Sequence, residues 1–327
     1  MQQNLLRVAQ PETAVECQSE PASTAVTGVE GHLPRHGPYW DLVARNKQAE
    51  EGKQQKPKKV KPPPPAPTFI VAGSAPADLE LWQNSVVLVD KPLGWTSFDV
   101  CGKLRGALTA RLRIKKVGHA GTLDPMATGL LIVCIGKATK HVDSFMALDK
   151  TYSGTLRLGE STPSYDRETE VGHTAPWQHI TEDELERAKQ QFLGDFQQLP
   201  PMFSAVRING ERLYHSARKG EEVERPARAV CVPEFEVRRD EQQRQDVHFR
   251  VRCSKGTYIR SLAHDLGQAA GSLAYLTALR REAIGHHSVS DAWKLDQLME
   301  LLHSYPPMPK PSKPAVQITQ AKPATEG

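Results

Sequence analysis

The run Leu130-Leu131-Ile132-Val133-Cys134-Ile135 constrains the fold most. Six consecutive apolar residues that begin directly after Gly129 read as a strand buried on both faces. The run is far too short to cross a bilayer, and no other apolar stretch in the chain is longer. The N-terminus likewise lacks the apolar core of a secretory signal.

Other elements can be placed around this strand. Val86-Val87-Leu88-Val89 is a β-branched strand that ends at Asp90-Lys91-Pro92. Ser97 is the expected N-cap of a helix carrying Val100, Leu104, Ala107 and Leu108 on one face. Tyr152 to Leu158 alternates polar and apolar residues, as a half-buried strand does. Thr181 and Glu184 form a capping box for a helix with Leu185, Ala188 and Phe192 facing inward. Val247, Phe249, Val251 and Cys253 alternate with His248, Arg250 and Arg252, which predicts another strand. Gly256 to Arg260 leads into a helix through Leu266 that stops near Gly271, and Leu295 to Leu302 reads as a single helix. Helices and strands mix without a regular βαβ rhythm, so the expected class is α+β.

Composition sets the boundaries. Only 39% of the 327 residues are hydrophobic and 6% aromatic, so part of the chain does not join a core. Residues 1–83 are dominated by Pro, Gln, Glu, Ala and Ser, and Lys53 to Lys61 run into Pro62-Pro63-Pro64-Pro65-Ala66-Pro67. Such a stretch cannot bury enough apolar surface to offset its ordering entropy and is expected to be a disordered extension. A second Pro-rich tail is expected over 306–327, which leaves 84–305 as the compact region. The extension has two functional readings, an organelle-targeting segment or an auxiliary nucleic-acid arm. Glu12, Glu16, Glu20 and Glu30 are unusual for a transit peptide. A formal charge of +4 fits a polyanionic partner without demanding one. Five scattered cysteines with no C-x-x-C pair suggest a reduced compartment without disulfides or structural zinc.

Asp124 stands out chemically. Gly118, Gly121 and Gly129 bracket it, and Pro125 pushes it out of the helical region, just before the doubly buried strand. A carboxylate fixed at the mouth of a sheet suits catalysis. Taken alone, however, an Asp-Pro pair is more often a plain turn. There is no phosphate-binding glycine loop, dinucleotide fingerprint, nucleophile elbow or H-E-x-x-H helix. The twelve histidines show no ligand spacing, so no metal site is expected.

The stretch Val117-Gly118-His119-Ala120-Gly121-Thr122-Leu123-Asp124-Pro125-Met126-Ala127-Thr128-Gly129-Leu130-Leu131 resembles the signature of the TruB family of tRNA pseudouridine synthases. Further matches follow in the family's order: Asp90-Lys91-Pro92 with Thr96-Ser97, Asp149-Lys150-Thr151-Tyr152, Leu158-Gly159 with Asp166, and Pro200-Pro201-Met202-Phe203-Ser204-Ala205. Gly210 with Leu213-Tyr214, Cys253-Ser254-Lys255-Gly256-Thr257-Tyr258-Ile259-Arg260 and Leu279-Arg280-Arg281 complete the series, over about 84–285.

The resemblance implies a mixed, mostly antiparallel sheet flanked by helices, with a central RNA-binding cleft. It implies isomerisation of a uridine in the T arm of tRNA, uridine 55, by a monomer that needs no cofactor and no membrane. Asp124 would be the essential carboxylate, acting as nucleophile or base. Arg260 would pair with it, and Tyr152 would stack on the uracil. His119 would occupy the vacated space or touch the flipped nucleotide, and Tyr258 would pack beneath the site. Lys91, Arg207 and Arg212, with His119 and Tyr258, form the expected RNA-contacting set; Arg207 and Arg212 lie in a segment resembling the family's clamping loop. Two departures stand out. Pro163 and Tyr165 interrupt a stretch richer in Asp, Thr and Gly among relatives, and the C-terminal RNA-binding domain common among relatives is expected to be absent or vestigial. The alternatives are a guide-RNA-dependent synthase of the dyskerin type and a tRNA-folding chaperone. The leader points to a plastid or mitochondrion, with the cytoplasm as the alternative.

Overall fold

A computed structural model describes residues 64–74, 76, 78–208 and 210–307. Most of the expected extension and tail, residues 1–63, 75, 77 and 308–327, lies outside the described residues. The first strands are β1 (Thr68–Ile70), β2 (Asn84–Lys91), β3 (Val117–His119), β4 (Ala127–Gly136) and β5 (Lys150–Leu158). Short strands β6 (Glu160–Ser161), β7 (His173–Thr174), β8 (Gly194–Gln198), β9 (Arg207–Ile208), β10 (Glu211–Arg212) and β11 (Arg228–Val232) follow. The chain then forms β12 (Glu234–Arg239), β13 (Asp246–Cys253), β14 (Ala274–Ile284), β15 (His287–Ser288) and β16 (Trp293–Lys294). The helices are α1 (Ser97–Leu112), α2 (Val142–Ala147), α3 (Glu182–Gln190), α4 (Leu213–Arg218), α5 (Ile259–Ala269) and α6 (Leu295–Ser304).

Ten strands form one mixed sheet along the path β1-β2-β4-β14-β5-β13-β12, with β3, β15 and β16 attached at its sides. Most neighbours are antiparallel, and β4 meets β14 in a short parallel seam pairing Ala127–Gly129 with Leu279–Arg281. The predicted α+β class and mostly antiparallel sheet are what the chain forms.

β4 is buried on both faces, as its composition requires. Leu131, Val133 and Ile135 pack with α1 and α6, while Leu130, Ile132 and Cys134 pack with Val86, Leu88 and Phe145 on the other side. A third core gathers α3 and α5 over β5, β13 and β14. The seam between these bodies is close. At Gly129 (φ +101°) an added Cβ would lie 2.3 Å from the Arg281 carbonyl oxygen, so only glycine fits there.

Two expectations need correction. The N-cap of α1 is Thr96, not Ser97. The Thr96 hydroxyl accepts from the Asp99 amide and the Asp99 carboxylate accepts from the Thr96 amide, a reciprocal pair that only the earlier register allows. The compact region also begins before residue 84. Ile70 and Trp82, placed with the extension by composition, are 1% and 0% exposed within the α1–α6 core. The rest of the pattern is confirmed, including the Thr181–Glu184 capping box and the turn at Gly271.

Candidate active site

A cavity of about 760 Å³ opens over the β4–β14 seam. Its walls come from the Gly121–Pro125 loop, α2, Tyr152 of β5, Phe203–Ala205, α4, Ser254–Arg260 and Arg281 of β14.

Three elements clamp the loop that carries Asp124. From α1, Ser97 Oγ accepts from the Leu123 amide (2.8 Å) and donates to the Leu123 carbonyl (3.2 Å). From β14, the Arg281 guanidinium, 1% exposed, donates to the carbonyls of Leu130 (2.7 Å) and Gly121 (3.1 Å). At the end of β2, the Gly94 amide donates to the Pro125 carbonyl (2.9 Å). A carboxylate on a loop held this way is positioned before any ligand arrives.

Arg260 enters from the first turn of α5. Its Nε lies 2.9 Å from Asp124 Oδ2 and 3.4 Å from Asp166 Oδ2, and Nη1 donates to the Ser164 carbonyl at 3.2 Å. The guanidinium side chain is 6% exposed, Asp166 is 1% exposed and Asp124 is 35% exposed, so Asp124 alone of the three faces the cavity openly. Asp166 accepts from the Ser164 hydroxyl (2.6 Å) and the Glu168 amide (2.9 Å). Burial pushes its carboxyl pKa up, while Arg260, Ser164 and Glu168 pull the other way. One buried cation therefore serves two carboxylates, one supporting and one presented to the cavity.

Tyr152 and Tyr258 line the cavity, and burial raises the phenol pKa of each, so both stay neutral. The Tyr258 backbone is fixed by Gln198, whose side chain accepts from its amide (2.7 Å) and donates to its carbonyl (3.0 Å). Asp124, Tyr152, Arg260 and Tyr258 are thus brought together.

The remaining predicted residues are placed differently. Lys91, expected to touch RNA, is fully buried. Its ammonium donates to the carbonyls of Trp95 (2.5 Å), Pro92 (3.0 Å) and Pro125 (3.4 Å), and burial pulls its pKa down to about 8. It props the loop from behind and offers nothing to a phosphate. His119 is half-buried at the end of β3, and burial lowers its pKa, which keeps the ring neutral; the cavity-lining residues do not include it. Arg207 and Arg212 are exposed on the β9–β10 hairpin, and the Arg212 guanidinium lies 5.9 Å over the Tyr214 ring.

Sequence reasoning left Asp166, Arg281 and the clamping role of Ser97 without functions. The first two stood inside matched motifs, but Arg281 lies between Arg280 and Glu282 and Asp166 precedes Arg167 and Glu168, so local charge did not set them apart. What each one bonds is a long-range fact that no local pattern carries.

The site thus presents a carboxylate paired with a buried guanidinium, with two neutral tyrosines in the same cavity. The model of the TruB family pseudouridylate synthase N-terminal domain matches residues 109–259. The tRNA pseudouridine synthase B of Phocaeicola vulgatus is 46% identical over 222 residues, covering 67% of this chain and 94% of that protein. Its counterpart from Flavobacterium johnsoniae is 47% identical over 216 residues, covering 65% and 93%. Among solved structures, a chain in the crystal structure of a Cbf5–Nop10–Gar1 complex superposes with a TM-score of 0.52 at 30% identity. That match covers 68% of this chain and 56% of the other, so this chain spans just over half of that relative. The chain belongs to the TruB family of pseudouridylate synthases and is an isomerase of that family.

Proposed function

We propose that this chain converts uridine to pseudouridine in tRNA, at uridine 55 of the T loop, with Asp124 as the essential carboxylate. The observation that carries the proposal is the Asp124–Arg260 pair: a cavity-facing carboxylate with a buried guanidinium 2.9 Å away. Whether Asp124 attacks carbon or removes a proton, it acts through its carboxylate oxygens, and Arg260 holds one of them in place. The tRNA substrate is supported by the relatives' names, tRNA pseudouridine synthase B.

The reaction rearranges one nucleotide. The bond from N1 to the ribose breaks, the uracil turns, C5 joins the ribose, the C5 proton leaves and N1 gains one. Composition is unchanged, so atoms and electrons balance without a co-reactant. The base must first leave its stack, at a cost of a few kcal/mol. A cavity of about 760 Å³ has room for a nucleotide. Tyr152 supplies a neutral ring for the uracil to stack on, and Tyr258 closes the floor. Arg207, Arg212 and the edge at His119 grip the RNA outside the cavity.

Purified protein incubated with an unmodified tRNA transcript, followed by chemical mapping of pseudouridine, tests this reading. Wild type converts position 55. Asp124→Asn binds the transcript with unchanged Kd but loses turnover by several orders of magnitude. Wild-type turnover by the variant removes Asp124 from the chemistry. Activity that appears only with an added guide RNA replaces the stand-alone reading, and an inactive wild type that speeds tRNA refolding replaces the enzyme reading.

A further inference from the structure

The two most exposed large apolar side chains among the described residues are Leu93 and Phe98, each 68% exposed. They stand five residues apart on one rigid segment. Lys91 holds the turn before Trp95 through the Pro92 and Trp95 carbonyls, and the Thr96–Asp99 capping box fixes the start of α1. Neither side chain contributes to a core, although the neighbouring Ser97 is 1% exposed. Single exposed apolar residues are ordinary, but two on a braced turn beside an active-site loop are not.

The segment is joined directly to the catalytic loop. Ser97, next to Phe98, bonds both backbone groups of Leu123, and Gly94, next to Leu93, bonds Pro125, so the pair straddles Asp124 in its attachments. On the other side the Arg105 guanidinium lies 5.8 Å from the centre of the Phe98 ring, and its Nη2 donates to the Val117 carbonyl on β3, the strand that ends at His119. Lys103 lies 4.9 Å from the Trp95 ring, and Lys115 and Lys116 are exposed just before β3. Of the nearby acids, Asp99 is turned onto the Thr96 cap and Asp296 pairs with Lys103 at 3.8 Å.

We infer that Phe98, flanked by Leu93 and backed by Arg105, is a stacking platform for an unpaired base of the RNA substrate, next to the nucleotide that enters the cavity. The inference rests on the RNA reading above and extends it to a subsite outside the cavity. An exposed ring edged by cations suits a nucleobase on a phosphate backbone, because every base offers a π-face and the surrounding charge attracts the chain. A protein partner seated on Leu93 and Phe98 would have to cover the same cations, of which only Lys103 is paired with an acid among the described residues, the exposed Asp296 at 3.8 Å.

The test separates the subsite from the chemistry by working in the Asp124→Asn background, where RNA is held but not converted. Binding of an unmodified tRNA transcript is measured with Phe98, Phe98→Ala, Phe98→Trp and Leu93→Ser, across a range of salt. A second transcript carries 2-aminopurine beside the target uridine. We expect Phe98→Ala to weaken binding roughly 5- to 100-fold, the effect of losing one stacked base. The slope against salt should stay unchanged because no phosphate contact is lost. Phe98→Trp should restore binding, and the 2-aminopurine quench should appear with Phe98 and Trp but not with Ala. Unchanged Kd and an unchanged quench in Phe98→Ala overturn the platform. A shift in sedimentation of the free protein on Phe98→Ala, with RNA affinity intact, would assign the patch to a second copy and overturn it too. Isomerisation by the protein carrying native Asp124 is scored separately. An inactive enzyme that still shows Phe98-dependent binding would fail the function proposal alone.

Discussion

At the scale of single residues, Arg281 carries more of the site than its position in a strand suggests. It is 1% exposed, and its fork bonds carbonyls from β4 and from the loop that carries Asp124. Lysine keeps the charge but cannot present the two-pronged donor set, which leaves buried carbonyls unpaired. Arg281→Lys should therefore destabilise the fold by about 2–4 kcal/mol. Turnover should fall more than RNA affinity, because the loop that carries Asp124 loses one of its clamps. Urea denaturation and single-turnover assays check both; a variant with native stability and full turnover would remove Arg281 from the positioning of the loop. Lys91 teaches the converse lesson. Its place in a matched motif led to the expectation of an RNA contact, but a buried ammonium surrounded by three carbonyls can only be structural.

At the scale of elements, α1 supports the loop through its N-terminus. The displaced cap follows from Asp99. Thr96 and Ser97 are both good cap residues, and the carboxylate three positions on selects Thr96. That register frees Ser97 to reach Leu123. Thr96→Ala removes the cap hydroxyl and should lower stability by about 1 kcal/mol, a Tm shift of roughly 2–4 °C. Differential scanning calorimetry reads it, and a shift below half a degree would show that the cap contributes nothing. Doubly buried β4 was legible because an uninterrupted apolar run has no other use in a chain of this kind. The strand β1 was not, because three residues beside a proline run carry no periodicity.

At the scale of the whole molecule, acid should weaken the fold through two histidines held neutral, His287 buried and His264 partly buried. His287 stacks on Phe69 at 4.8 Å, His264 stacks on Tyr165 at 3.9 Å, and burial lowers the pKa of each to about 4. Between the ordinary value near 6.5 and about 4, the unfolded chain binds more protons than the folded one. Stability is therefore full above about pH 6.5 and declines as pH falls toward 4, by on the order of 3 kcal/mol for each histidine. Denaturant melts between pH 7.5 and 4 check this. Combining His287→Phe with His264→Gln should flatten the slope in that window, and an unchanged slope would assign acid sensitivity to other groups.

By itself the sequence determined the class of fold and the order of the elements, and its resemblance to a family singled out the segment that carries Asp124. The elements depend on patterns a few residues long, namely apolar runs, alternation and caps. Asp124 was identified only through an ordered series of motifs, because an aspartate before a proline is more often a plain turn. The tertiary structure decided which side chains meet Asp124. Arg260 arrives from α5 and Asp166 from the loop after β6, while Ser97 and Arg281 brace the loop from opposite sides of the seam. Those contacts join residues far apart in the chain, and only the packing of the sheet brings them within bonding distance. The same packing withdrew Lys91 from solvent and left Phe98 in it, although lysine ordinarily seeks water and phenylalanine the core. Burial of a particular residue belongs to the assembled fold, and no local pattern encodes it.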